Sequence, residues 1–116
     1  MTFTLIQYAG QDICKKFWEF SKTDKELLAK RLAIELPALR GKVNASQEEI
    51  ASAVGISRQT YSAYETRNRP IPWSLYLALL FYFDYMPSTH YMIRQLELFP
   101  NEFDECWLAG RMFNEE

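Results

Sequence analysis

Residues 46–65 read Ser-Gln-Glu-Glu-Ile-Ala-Ser-Ala-Val-Gly-Ile-Ser-Arg-Gln-Thr-Tyr-Ser-Ala-Tyr-Glu, and this stretch decides the fold. Each boundary of two short helices is marked by its own residue. Ser46 can accept a bond from a free amide of the first turn, and Glu49, three positions on, completes a capping box. Gly55 follows the last apolar residue of that helix, where a left-handed cap is easiest for a residue without a β-carbon. Ser57 caps the second helix, so only Gly55 and Ile56 lie between.

So short a connection makes the helices cross steeply, the geometry of a helix-turn-helix that lays its second helix in the DNA major groove. The side-chain pattern agrees. Ile50, Val54, Ile56, Tyr61 and Tyr64 are the apolar positions, with Ala51 small where the helices approach. At about 100° per residue, Tyr61 and Tyr64 fall within roughly 60° of each other. Arg58, Gln59, Ser62, Ala63 and Thr66 occupy an arc of roughly 140° on the other side. Arg58 and Gln59 sit in the first turn; arginine can donate two bonds to guanine, and glutamine can pair bidentately with adenine.

From about Leu36 to Phe83, some 48 of 116 residues, the chain resembles the Cro/repressor-type (XRE family) helix-turn-helix proteins. The string Gly55-Ile56-Ser57-Arg58-Gln59-Thr60, followed by Tyr64-Glu65, carries the resemblance. It implies base reading by Arg58, Gln59, Ser62 and Ala63. It implies phosphate contacts by Gln47, Ser57 and Thr60, with Gln47 also orienting the first side chain of the second helix. It further implies that Arg40 on the preceding helix pairs with Glu65.

Four positions depart from the family pattern. Tyr61 stands where a β-branched aliphatic is usual, so the core must accept a ring and place a hydroxyl. Ala63 replaces a longer polar reader, and either touches a thymine methyl or reads nothing. Thr66-Arg67-Asn68 lacks the usual glycine, which makes Asn68 the expected left-handed residue. Pro37 falls inside the expected first helix, where it would break or kink the chain, so that helix is expected to start at Pro37.

Net charge is −2, yet the distribution is uneven. Residues 1–35 carry net +1, residues 36–72 net +2, and residues 73–116 net −5. Positive charge therefore gathers on the candidate DNA-binding unit, and Arg67, Asn68 and Arg69 after its second helix are placed for backbone phosphates. With so few cations, phosphate contacts are expected to be few and affinity strongly salt-dependent. That points to a homodimer over half-sites about one helical turn apart.

With 48% hydrophobic and 16% aromatic content, 116 residues suffice for one all-α core. The expected organisation is an N-terminal helical arm over 1–35, a lambda-repressor-like helix-turn-helix bundle over 36–83, and a C-terminal helical extension over 84–116. In the arm, Ile13, Phe17 and Phe20 form a stripe, and Thr23 with Glu26 a second capping box, which predicts helices over 10–21 and 24–36. Trp73 to Phe83 predicts a helix apolar almost all round, with Leu75, Leu77, Ala78 and Leu79 or Leu80 as core and Tyr76, Tyr82, Phe83 and Tyr85 in surplus. Pro87 opens a helix to about Phe99 along a Tyr91, Met92, Gln95, Leu96, Phe99 side, and Asn101 caps a last helix to Met112.

No basic-then-apolar leader is visible, and the longest apolar stretch falls far short of a membrane span. Cys14 and Cys106 lack any Cys-x-x-Cys spacing and read as reduced cysteines of a cytoplasmic protein. His90 is the single histidine, and no phosphate loop, nucleophile elbow or metal cluster accompanies it, so neither enzyme, cofactor nor metal is expected. The reading is a double-stranded-DNA-binding transcriptional regulator, a repressor with helix 57–67 in the major groove. The alternative is a protein-interaction module, or an antitoxin-like protein, gripping a partner through the aromatic and acidic residues 73–116.

Overall fold

Lys22–Val43 form a single 22-residue helix, α1, with Pro37 inside it. This is the main difference from the sequence-based expectation, which divided the segment into a helix over 24–36 and another from Pro37. Ala29, Leu32, Ala33, Leu36 and Leu39 are buried along one stripe that runs through the proline position, while Pro37 itself is exposed. Proline costs about 3 kcal/mol inside a helix. Burial of three leucines at about 2 kcal/mol each offsets it. Because the helix begins at Lys22, Thr23 does not cap it.

The computed structural model describes residues 14–16 and 18–106. α1 is followed by α2 (Gln47–Val54), α3 (Arg58–Glu65), α4 (Trp73–Tyr85) and two single turns, α5 (Pro87–His90) and α6 (Met92–Gln95). No strand occurs among the described residues. The fold is all-α, with α2 and α3 packed on each other, α3, α4 and α5 against α1, and α4 against α2.

Two compact units divide the chain, one running Lys22–Leu98 and the other joining residues up to Ser21 with those from Phe99 on. The expected boundaries at 35/36 and 83/84 instead fall inside α1 and α4. In the larger unit the core is Leu32, Leu36, Leu39, Ile50, Tyr61, Tyr76, Leu79, Phe83, Ile93 and Leu98, each fully buried. Tyr76 and Phe83, expected as surplus, belong to this core, whereas Leu75, Leu77 and Ala78 are only half-buried. Tyr76 can be buried because its hydroxyl donates to the Leu98 carbonyl.

The expected long helix over 87–99 is broken into α5 and α6, and its buried side is Thr89, Ile93 and Leu98 rather than the Tyr91 side. The buried Thr89 hydroxyl donates to the Phe83 carbonyl at 2.6 Å, tying α5 back onto α4. His90 Nδ1 lies 2.9 Å from Asp84 Oδ1, and Arg94 donates to the same carboxylate at 2.6 Å.

In the smaller unit, Cys14 and Cys106 are joined as a disulfide, their Cα atoms 5.3 Å apart, within the usual range for the bond. This corrects the reading of two reduced thiols, since a separation of 92 residues hides spatial adjacency. Phe103 stacks on Trp18 at 4.9 Å and meets Phe20 and Phe99 edge-on. Residues 14–16 and 101–106 are helical, while 18–21 are not; the remainder of the helices expected over 10–21 and 101–112 lies outside the described residues.

Candidate nucleic-acid interface

The interface is built from helix ends. Ser46 Oγ accepts from the Glu49 amide at 3.0 Å, and Glu49 Oε1 accepts from the Ser46 amide at 3.2 Å, a complete capping box that fixes where α2 starts. α2 ends on Gly55 at φ 80, with Gly55 N–H bonded to the Ser52 carbonyl and Ile56 N–H to that of Ala51. A β-carbon on Gly55 would meet nothing within 4 Å, so it is the backbone angle and not the space that favours glycine here. Ser57 then caps α3 by accepting from the Thr60 amide at 3.1 Å, and its hydroxyl donates to Thr60 Oγ1 at 2.9 Å.

α3 is amphipathic in a strict sense. Tyr61 and Tyr64 are buried, Arg58 and Gln59 are exposed, and Ser62 and Ala63 are half-buried. Thr66, on the same arc, turns its hydroxyl back onto the Ser62 carbonyl at 3.0 Å. The side chains of Arg58 and Gln59 make no hydrogen bond or ion pair among the described residues, so both are available to a partner.

The end of α3 differs from the sequence-based expectation. Arg67, not Asn68, adopts the left-handed conformation, at φ 63. Arg67 N–H bonds the Tyr64 carbonyl and Asn68 N–H that of Ala63, the paired bonds of a Schellman motif. Asn44 after α1, Gly55 after α2 and Glu97 after α6 close their helices with the same two bonds. Only one of the four uses glycine. Arg67, Asn68 and Arg69 are all exposed beside the end of α3.

Behind this surface, three helices converge on one carboxylate. Arg40 of α1 donates Nε to Glu65 Oε1 at 2.7 Å and Nη2 to Oε2 at 3.5 Å. Gln47 of α2 donates its amide to Oε2 at 3.0 Å. Burial would raise the Glu65 carboxyl, but the Arg40 hydrogen bond, the neighbouring Tyr61 hydroxyl and the Gln47 amide outweigh it and hold the group below the usual carboxylate range. The sequence has no local signal for the Gln47 bond, which depends on where α2 and α3 meet. Tyr61, fully buried next to this pair, makes no side-chain hydrogen bond among the described residues, and burial pushes its phenol well above the ordinary tyrosine range.

Among the described residues no group of histidine, cysteine and carboxylate side chains is arranged to hold a metal ion, and no helix is long and apolar enough to cross a membrane.

Residues 31–85, which contain α2, α3 and their turn, match the helix-turn-helix domain family. No curated protein and no solved structure matches the chain. The class is therefore plain: the chain carries a helix-turn-helix domain on an all-α fold.

Proposed function

We propose that this protein is a sequence-specific double-stranded-DNA-binding regulator of transcription, a repressor that acts as a homodimer. α3 enters the major groove, and bound protein obstructs polymerase. The observation that carries this is the exposed Arg58–Gln59 start of α3, unbonded among the described residues, on a helix whose opposite side is locked into the core by Tyr61 and Tyr64. Arg58 and Gln59 read base edges, with Ser62 and Ala63 beside them. Gln47, Ser57, Thr60, Arg67, Asn68 and Arg69 lie toward phosphates. The Ser57 hydroxyl donates to Thr60 Oγ1, which leaves Ser57 its backbone amide as donor, while the Thr60 hydroxyl hydrogen and the second N–H of the Gln47 amide remain to donate to phosphate oxygens.

The XRE family assignment rests on the wording of the turn, Gly55 to Thr60, and on the Arg40–Glu65 tie. A homodimer is supported by the aromatic surface of α4 and its neighbour: Phe81, Tyr85 and Tyr91 are 72%, 75% and 72% exposed. The same surface favours the second reading, a module that grips another protein, as an antitoxin does.

Selection from randomised duplex DNA at roughly 150 mM salt, where nonspecific backbone attraction is weakened, tests the proposal. A palindromic motif with half-sites about 34 Å apart is the expected result. Recovery of no motif by folded protein, or a motif unchanged by Arg58→Ala with Gln59→Ala, would overturn it in favour of the protein-gripping module.

A further inference from the structure

A cleft of about 490 Å³ lies between α1 and the segment that leaves α3. Its volume is within the range of about 300–1,000 Å³ typical of small-molecule sites. Ala29, Ala33, Ile34, Pro70 and Ile71 supply an apolar lining, and the small alanines leave room for a chain of methylenes. A second hollow of about 330 Å³ shares Glu26, Pro70 and Ile71 with the first and extends it to Trp73. The two adjoin along Pro70 and Ile71, so apolar lining continues from Ile34 and Ala33 to Pro72 and Trp73.

Charge at the groove is one-sided. Lys30, Arg67 and Arg69 line the first cleft against a single carboxylate, Glu26. None of these three cations makes a side-chain hydrogen bond or ion pair among the described residues. Lys25, in the second hollow, is occupied differently: its ammonium sits over the Trp73 ring, 5.5 Å from the centroid. Apolar surface is also left open here, since Ile34 is 56% exposed. Adjoining apolar hollows with unpaired cations lining the first and an aromatic ring lining the second fit a ligand with an anionic head and an apolar tail.

We propose that this groove binds a monomeric amphiphile carrying one carboxylate, its head at Arg67 and Arg69 and its tail along Ala29, Ala33 and Ile71 toward Trp73. Occupancy engages the two arginines that follow α3 and cancels one of their two positive charges. If those arginines contact phosphates, as the proposed function holds, the ligand releases the protein from DNA. The binding half of the inference stands without the DNA reading; the regulatory half rests on it.

Calorimetric titration of the full chain with decanoate below its micellar concentration tests binding directly, with decanol and decyltrimethylammonium as comparators. A charge-assisted bond from arginine predicts that decanoate binds about tenfold or more tighter than either comparator. Ile34→Glu and Lys30→Glu, both at exposed positions outside the proposed DNA surface, are expected to weaken decanoate about tenfold by placing a like charge in the groove, with thermal melts unchanged. No binding below micellar concentration, equal binding of the cationic comparator, or full affinity in both folded variants overturns the site. DNA titrations then separate the two halves. Decanoate that weakens DNA binding by wild type but not by Ile34→Glu supports the regulatory half, and decanoate that binds without altering DNA affinity overturns it. A protein that binds decanoate yet no DNA at all leaves the site standing and sinks the DNA reading instead.

Discussion

Arg40 Nε donates to Glu65 Oε1 at 2.7 Å, and that bond ties the helix before the turn motif to the far end of α3. The two partners are unequally sheltered, with 28% of the Arg40 side chain exposed against 7% of Glu65. Removal of either one therefore has a different cost.

Arg40→Ala leaves a buried carboxylate with Gln47 as its remaining donor, and is expected to lose about 3 kcal/mol of stability. Glu65→Gln leaves an arginine that can reach water, and is expected to lose only about 1 kcal/mol. The pH dependence follows from the depressed Glu65 carboxyl, whose ordinary value is 4.5. A group with a lowered folded value stabilises fully above its unfolded value and loses that contribution as pH falls through the folded one. The gap between wild type and Glu65→Gln is therefore expected to be constant above about pH 5 and to close below about pH 4.5. Urea melts across that range give the answer, and a gap that widens in acid would contradict it.

Gly55 and Arg67 occupy the same left-handed position in the same two-bond motif, at φ 80 and φ 63, so exchange of side chain acts in opposite directions. Gly55→Ala is expected to cost about 1 kcal/mol by placing a β-carbon in the left-handed region. Arg67→Gly relieves that same penalty and is expected to gain about 0.5 kcal/mol, less than the full amount because glycine also loosens the unfolded chain. Paired denaturation curves compare the two directly. A loss in Arg67→Gly would mean that its side chain stabilises the turn by contacts of its own.

Tyr61 fills its place in the core with a ring but leaves its hydroxyl without a hydrogen bond among the described residues. The Glu65 carboxylate beside it accepts from Arg40 and Gln47. Tyr61→Phe is expected to raise stability by about 1 kcal/mol, since the desolvation cost of an unpaired hydroxyl disappears with it. Thermal melts decide; a destabilised variant would show that the hydroxyl bonds the Glu65 carboxylate in solution.

The helix-turn-helix itself was legible because each of its boundaries is local chemistry. Ser46 with Glu49, Gly55, and Ser57 act within three or four residues of their own position, so their meaning survives without a structure. What was not legible depends on partners distant in sequence. Pro37 is tolerated only because Leu32, Leu36 and Leu39 find a core to enter. Tyr76 reads as surplus aromatic until Leu98 offers a carbonyl, and the buried side of 87–99 is set by the Thr89 bond to the Phe83 carbonyl. Cys14 meets Cys106 across 92 residues. On the site, the sequence indicates the exposed face of α3 but not the cleft behind it, whose lining joins residues 26–34 to residues 67–71.

Salt dependence tests how the exposed cations divide their work in DNA binding. Each phosphate neutralised contributes about 0.9 to the slope of log affinity against log salt. Arg69, exposed after α3 and unpaired among the described residues, is placed for a phosphate. Arg69→Ala is therefore expected to weaken binding to all sequences alike and to flatten the slope by about 0.9 per protomer. Arg58, in the first turn of α3, is placed for a base instead. Arg58→Ala is expected to cost about 1–3 kcal/mol on the preferred site and much less on random duplex, with a smaller change of slope. Titrations on both duplexes between about 50 and 200 mM salt distinguish the two behaviours. If Arg69→Ala relaxed sequence preference, or Arg58→Ala weakened both duplexes equally, the assignment of α3 to base reading and of the following turn to phosphates would be reversed.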